Sequence, residues 1–127
     1  MKKLFLGILL ISAAALASGP ISVEALVKDA AKLDGKSVIV RGKVSKYNEK
    51  VSKKGNPYTT FIISSGKSNA NVYLKGRPGV AVKDGLVVEV SGNFLKLKKL
   101  RDFSVANEID ASAEPGKTFG VKLVKAK

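Results

Sequence analysis

The sequence has 127 residues, with 23 lysines and arginines against 10 acidic residues, and its formal net charge is +13 at pH 7. It contains no histidine and no cysteine, which excludes imidazole general bases, thiol nucleophiles, disulfide bonds, covalent haem attachment and zinc or copper sites built from these ligands. A balance this basic is typical of proteins that meet polyanions, such as nucleic acid, anionic lipid or acidic cell-wall polymers, although a merely soluble basic protein also fits.

The first 17 residues have the pattern of a secretory signal peptide. Lys2 and Lys3 give a positive start, an apolar run follows over residues 4–11, and Ala-Leu-Ala at 15–17 supplies small residues for cleavage. Removing this segment leaves 110 residues with a formal charge of +11, which is enough for one domain with a modest core. We therefore predict export to a periplasm or to the cell exterior. Retention of the segment as an N-terminal anchor is the alternative.

A short amphipathic helix is predicted within residues 18–35. Ser22 can cap its start, and Ile21 with Leu26 stands at the positions of a hydrophobic staple. The apolar residues recur at helical spacing on one face: Val23, Leu26, Val27, Ala30 and Leu33. We expect this face to cover one end of a core. Its two carboxylates and small alanines disfavour a membrane-surface role.

Alternation of apolar and polar residues then predicts five strands. The predicted strands cover residues 36–46, 57–64, 70–75, 86–97 and 103–111, joined by turns and loops rich in glycine, serine and lysine. Gly42 and Gly92 stand inside the first and fourth of these, where a barrel strand bends or bulges. The basic tail, residues 112–127, could add an edge strand guarded by lysines or could fray.

This arrangement resembles the OB-fold family of oligonucleotide- and oligosaccharide-binding domains over residues 35–111. The segments GKSVIVRGKV, YTTFIISSG and VKDGLVVEVSGNF are similar to the family's first, second and fourth strands. The resemblance implies an all-β fold, a five-stranded Greek-key barrel of the OB type with a short N-terminal helix. Ser65 departs from many nucleic-acid-binding members, which carry an acidic residue in that turn. Signal segment, helix and single barrel together are similar to small exported bacterial OB-fold proteins.

The resemblance also implies where a ligand would bind. In OB barrels the second and third strands, with the loops joining strands one to two and four to five, form the usual binding surface. Twelve residues of this chain would converge there: Lys46, Lys50, Lys53, Lys54, Tyr58, Tyr73, Lys75, Arg77, Lys96, Lys98, Lys99 and Arg101. Cations can follow a phosphate backbone and tyrosines can stack on bases. The alternative is that these are ordinary surface lysines, and tyrosines that fill space against their neighbours.

The supply of aromatic side chains limits this hypothesis. The chain has three tyrosines and no tryptophan, and we expect the barrel interior to use several of the phenylalanines Phe61, Phe94, Phe103 and Phe119. One or two exposed tyrosines would support weak, salt-sensitive binding, since each stacked base contributes about 1–3 kcal/mol.

Little in the sequence suggests catalysis, a metal or a cofactor. Glu108 and Asp110 alternate on one strand and so share a face that could hold a cation, but we expect a solvated pair that balances nearby lysines. The loop of residues 76–79 lacks the glycine-lysine-hydroxyl run of a phosphate-binding loop. We predict an exported, non-catalytic protein that binds single-stranded nucleic acid or another polyanion. The alternative is an envelope adaptor or structural module that binds a protein or an anionic glycan.

Overall fold

The computed structural model describes residues 19–124, so the predicted signal segment lies outside the described residues. Seven strands and two short helices are found within 19–124: β1 Ile21–Ser22, α1 Val23–Lys28, α2 Ala30–Leu33, β2 Ser37–Val51, β3 Pro57–Ser65, β4 Ser68–Lys75, β5 Val87–Lys99, β6 Ser104–Asp110 and β7 Gly120–Leu123. Over this part of the chain, neither helix has the length and apolar character needed to cross a membrane.

Five strands join in a partly closed barrel. β2 pairs with both β3 and β5, β3 pairs with β4, and β5 pairs with β6, all antiparallel, while β4 and β6 run parallel. The ring order β2-β3-β4-β6-β5 is a Greek key of the OB type, and it confirms the predicted all-β fold class. β1 extends the sheet parallel to β2, and β7, from the basic tail, pairs antiparallel with β5.

Every second residue of the barrel strands points inward. The interior is filled by Val38, Val40, Val44, Phe61, Ile63, Val72, Leu74, Val88, Val90, Phe94 and Ile109. The helix α1 packs against the same core through Val23 and Leu26, both fully buried. Burial of these apolar side chains is the main force that holds the barrel together, at roughly 1.5–3 kcal/mol for each large residue.

Ser22 caps α1 as predicted, because its Oγ accepts a hydrogen bond from the Ala25 backbone N–H at 3.0 Å. Ser65, at the end of β3, accepts a second one from the Glu24 N–H at 3.1 Å. The predicted single helix is instead two. At Asp29 the backbone, with φ −103° and ψ 24°, leaves helical geometry and separates α1 from α2.

The strand β2 runs through the first half of the region predicted as a basic loop. A β-bulge places Lys46 and Tyr47 opposite the single residue Phe61, and Lys46 takes a positive φ of 53°. The bulge resets the alternation, so that Tyr47 packs inward against Phe61 with ring centroids 5.8 Å apart. The connection to β3 shrinks to the turn of residues 52–56, closed by the Ser52 N–H donating to the Asn56 carbonyl at 2.9 Å.

The second predicted basic loop is also shorter than expected. β5 continues to Lys99, and β6 returns from Ser104. Between them a tight turn is closed by the Leu100 N–H, which donates to the Phe103 carbonyl at 2.8 Å. Lys98 and Lys99 therefore lie on a strand, where their side chains point in alternate directions, rather than together on a loop.

Candidate functional site

An open groove of about 640 Å³ crosses the outer face of β3 and β4. The end of β2 forms one wall of this β3–β4 groove, and the β5–β6 hairpin forms the other. Both walls exist because the two hairpins continue as paired strands beyond the barrel, where the predicted loops would have left mobile chain.

Strand register determines the floor of the β3–β4 groove. Its outward residues are Tyr58, Thr60 and Ile62 on β3, opposite Lys75, Tyr73 and Asn71 on β4. The rings of Tyr58 and Tyr73 lie 5.9 Å apart at 37° and are half-buried. The two tyrosines also border a smaller depression of about 490 Å³ beside the turn of residues 52–56. They therefore offer aromatic surface to two neighbouring concavities.

The β2 wall is cationic. Its groove-lining residues are Lys46, Asn48 and Lys50. The register places Asn48 opposite Thr60 and Lys50 opposite Tyr58, so these side chains share the outer face of the floor. Lys46 and Lys50 are exposed, and none of the ion pairs formed within residues 19–124 involves either of them. This wall therefore presents unneutralised positive charge beside an aromatic floor.

The opposite wall, on the β5–β6 hairpin, is apolar. Its lining includes Leu100, Phe103 and Val105. Phe103 is 64% exposed and Leu100 is 41% exposed. From the sequence we expected cations on this side of the groove, and we counted Phe103 among the phenylalanines that could fill the barrel interior. Phe61 and Phe94 are the phenylalanines that fill the interior, and Phe103 instead adds an aromatic ring to the groove.

A buried carboxylate lies at the foot of this apolar wall. Glu108 is only 6% exposed, and its Oε2 is 2.9 Å from the Lys98 Nζ. The same Nζ lies 4.7 Å from the centroid of the Tyr73 ring, in cation–π contact. Lys98 thus lines the groove, but its charge is paired. Glu108 is paired with a lysine as expected, although the expectation that it is solvated is wrong.

Asp110 does not join Glu108 in a shared site. Its Oδ1 accepts a hydrogen bond from the Ser112 N–H at 3.0 Å. Within residues 19–124, no group of three acidic, histidine or cysteine side chains is placed to hold a metal ion.

The structure brings five of the twelve predicted site residues into the β3–β4 groove: Lys46, Lys50, Tyr58, Tyr73 and Lys98. Lys53 and Lys54 are exposed in the turn between β2 and β3, and Lys75 borders the smaller depression. Lys96, Lys99 and Arg101, all exposed, lie outside the groove lining.

Arg77 holds the two strands of the β2–β3 hairpin together next to the turn of residues 52–56. Its guanidinium donates to the Tyr58 carbonyl at 2.6 Å and to the Lys50 carbonyl at 3.3 Å. It also pairs with Glu49, with 3.6 Å between Nε and Oε1. These contacts position the two groove residues Lys50 and Tyr58 from behind, through their backbone.

Sequence reasoning missed several groove residues: Asn48, Thr60, Ile62, Asn71, Leu100, Phe103, Val105 and Glu108. A signal existed for those on β3 and β4, since Thr60 and Asn71 alternate in phase with the two tyrosines. For the others the signal is not local. Leu100 reaches the groove only because the β5–β6 hairpin extends past the barrel, whereas Glu108 reaches it because β6 pairs with β4 beside Asn71.

Tyr47 lies behind the β2 wall, where it packs inward against Phe61 and the core. Its hydroxyl donates to the Glu49 Oε2 at 2.9 Å, and its backbone N–H donates to the Asp84 Oδ1 at the same distance. Burial raises the pKa of the Tyr47 phenol above its ordinary value, and the hydrogen bond and negative charge of Glu49 raise it further.

No protein-family model matches the sequence, and no curated protein matches it. Among solved structures, the chain is similar to a Klebsiella pneumoniae protein provisionally named a nucleic acid-binding lipoprotein. The TM-score is 0.55 at 19% identity, over 88% of this chain and 97% of that one. It is also similar to a Leishmania major protein provisionally named an aspartyl-tRNA synthetase, with a TM-score of 0.58 at 15% identity. That match covers 86% of this chain and 21% of the Leishmania protein. Identities this low show the fold alone, and the fold is an OB-like barrel.

Proposed function

We propose that this protein is an exported, non-catalytic binding protein that holds single-stranded nucleic acid in the β3–β4 groove. The observation that carries the proposal is the meeting of three surfaces in one groove: a lysine wall, an aromatic floor and an apolar wall. A single strand presents phosphates that need cations and unpaired bases that need flat apolar surfaces. An acidic glycan or polymer would use the lysines but leave Phe103 and Leu100 without a partner.

The comparison with the Klebsiella protein supports this proposal. Its name assigns nucleic acid binding to that protein, and the similarity extends over nearly the whole of both chains. The proposal of export depends on residues 1–17 of the sequence alone.

The make-up of the groove implies modest affinity. Three aromatic rings, Tyr58, Tyr73 and Phe103, face or border it, and each stacked base is worth about 1–3 kcal/mol. Lys98 already lies over Tyr73, so a base must share that surface or displace the lysine. Three stacked bases would together contribute about 3–9 kcal/mol. A binding free energy of about 8.2 kcal/mol corresponds to a dissociation constant of about 1 μM, so we expect micromolar affinity at low salt.

The test is a fluorescence-anisotropy titration of residues 18–127, which contain every described element, with a labelled single strand of about nine thymidines at two salt concentrations. With about two phosphates neutralised, by Lys46 and Lys50, raising the salt from about 50 to 200 mM should weaken binding roughly sevenfold, because the slope for single strands is near −0.7 per contact. Lys50→Gln should weaken binding and reduce the magnitude of that slope by about 0.7, which is the contribution of one phosphate contact.

Lys122→Gln is the matched control, since Lys122 is an exposed lysine on β7 and lies outside the groove lining. It should leave both the affinity and the slope close to those of the parent protein. Absence of binding at about 50 mM salt, or equal losses for Lys50→Gln and Lys122→Gln, would reject the proposed function.

A further inference from the structure

A buried carboxylate is unexpected in a groove that binds a polyanion. Glu108 lines the β3–β4 groove and is 6% exposed. A buried charge is costly unless it is paired, and Lys98 supplies that partner at 2.9 Å. The pair nevertheless exerts no net attraction on a phosphate, because the carboxylate repels the phosphate and neutralises the nearest ammonium. The foot of the β5–β6 wall is therefore unsuited to the nucleic acid backbone.

The two walls of the groove consequently suit different parts of a strand. Lys46 and Lys50, both exposed and without ion pairs in the described chain, suit phosphates. Phe103 and Leu100 suit the faces of bases, and the Lys98–Glu108 pair is left to meet the polar edge of a base. A strand lying in the groove with its backbone along β2 would direct its bases toward β6.

The polar groups near that edge are mainly hydrogen-bond acceptors. The Glu108 carboxylate has two acceptor oxygens, and the Lys98 ammonium beside it is a donor. Asn71, which neighbours Glu108 across the β4–β6 pairing, donates its Nδ2 to the Ala106 carbonyl at 2.8 Å. Its Oδ1 therefore remains as a further acceptor. A base that satisfies this set must carry at least two adjacent donors and one adjacent acceptor.

Guanine is the base that meets this requirement. Its Watson–Crick edge has the O6 acceptor beside the N1–H and N2–H₂ donors, whereas the same edges of adenine, cytosine and thymine each carry a single donor group. We infer that Lys98 and Glu108 form a guanine-selective subsite, with Glu108 accepting from N1–H and N2–H₂ and Lys98 donating to O6. This inference rests on the proposed function, since it assigns the base that the same groove prefers.

The test uses nine-nucleotide strands of thymidine in which only the central base varies. Residues 18–127 are titrated with strands that carry guanine, inosine, adenine, cytosine or thymine at that position, at one low salt concentration. The guanine strand should bind about tenfold more tightly than the thymine strand, because a bidentate base contact is worth about 1–3 kcal/mol. Inosine lacks the N2 amino group and should lose most of that advantage.

Glu108→Gln should abolish the preference for guanine while thymidine strands still bind, because the amide has one acceptor where the carboxylate has two. Glu89→Gln is the matched control, since it removes a carboxylate from the Arg41 ion pair, which is outside the groove lining. It should retain the preference. Equal affinity for all five strands, or an undiminished preference in a folded Glu108→Gln protein, overturns this inference alone. Failure of every strand to bind overturns the proposed function itself.

Discussion

Tyr47 connects the barrel core to the cationic wall of the groove. Its ring packs on Phe61, while its hydroxyl and backbone N–H bond to Glu49 and Asp84. These contacts hold the inward residue of the bulge, and so they keep Lys46 turned outward. One half-buried phenol thus helps to fix where the groove's charge lies.

We predict that Tyr47 ionises above the ordinary tyrosine value of 10.0, because burial and then Glu49 oppose formation of its anion. The raised pKa means that the folded state holds this proton more tightly than the unfolded state does. The resulting stabilisation is complete below about pH 10 and disappears as the pH rises through the folded pKa. Absorbance titration near 295 nm, parent minus Tyr47→Phe, should give a difference curve with its midpoint above 10.

The same titration in concentrated guanidinium is the control, and there the difference curve should move back to about 10. A midpoint at or below 10 in the folded protein would show that Tyr47 is neither desolvated nor bonded to Glu49 as described.

Residues on regular strands were predictable from local pattern. The alternation around Tyr58 and Tyr73 places both on the outer face, where the structure has them. Arg77 could not be assigned in this way, since its carbonyl partners belong to residues 50 and 58. They meet it only after the chain has folded back through two strands.

At the scale of elements, the structural role of the glycines inside strands was predictable from the sequence, whereas the β-bulge in β2 was not. Gly42 and Gly92 interrupt runs of β-formers, which indicates a site where no side chain fits. At Gly92 an added Cβ would clash with the Asp110 carbonyl oxygen, because β6 passes close to β5 there. The bulge instead depends on Lys46 at a positive φ, and lysine carries no sequence signal for that conformation.

Gly92→Ala should therefore destabilise the barrel by about 1–3 kcal/mol or more, because the methyl group meets backbone rather than a movable side chain. Urea denaturation followed by circular dichroism measures this change. Ser91→Ala, at the half-buried neighbouring position on the same strand, is the matched control and should change the free energy of unfolding by less than about 0.5 kcal/mol. Equal stability of the Gly92→Ala and Ser91→Ala proteins would contradict the close crossing of β5 and β6.

Hairpin lengths were the other feature that local pattern did not predict. The basic residues in 47–56 and 98–102, with Gly55 in the first segment, indicate loops, yet most of the first half of each segment is paired strand. Pairing continues because each strand has a partner of similar length beside it, which is a property of two segments together. The extension of the β5–β6 hairpin is what brings Leu100 and Phe103 into the β3–β4 groove.

For the whole molecule, barrel closure determines which charges act together. A formal charge of +13 suggested two basic loops on either side of one face. The ring of strands instead sets a lysine wall on β2 against an apolar wall with one paired lysine on β5–β6. The groove is therefore asymmetric, and net charge alone does not describe its surface.

We propose above that single-stranded nucleic acid binds in the β3–β4 groove. The most direct measurement is an NMR titration of ¹⁵N-labelled residues 18–127 with nine-nucleotide thymidine strands, following each backbone amide. We expect the amides of α1 and β7 to stay unchanged, and the shift changes to concentrate on residues 46–51, 58–62, 71–73 and 98–108. Changes centred on α1 or β7, with the groove amides unmoved, would contradict the proposal.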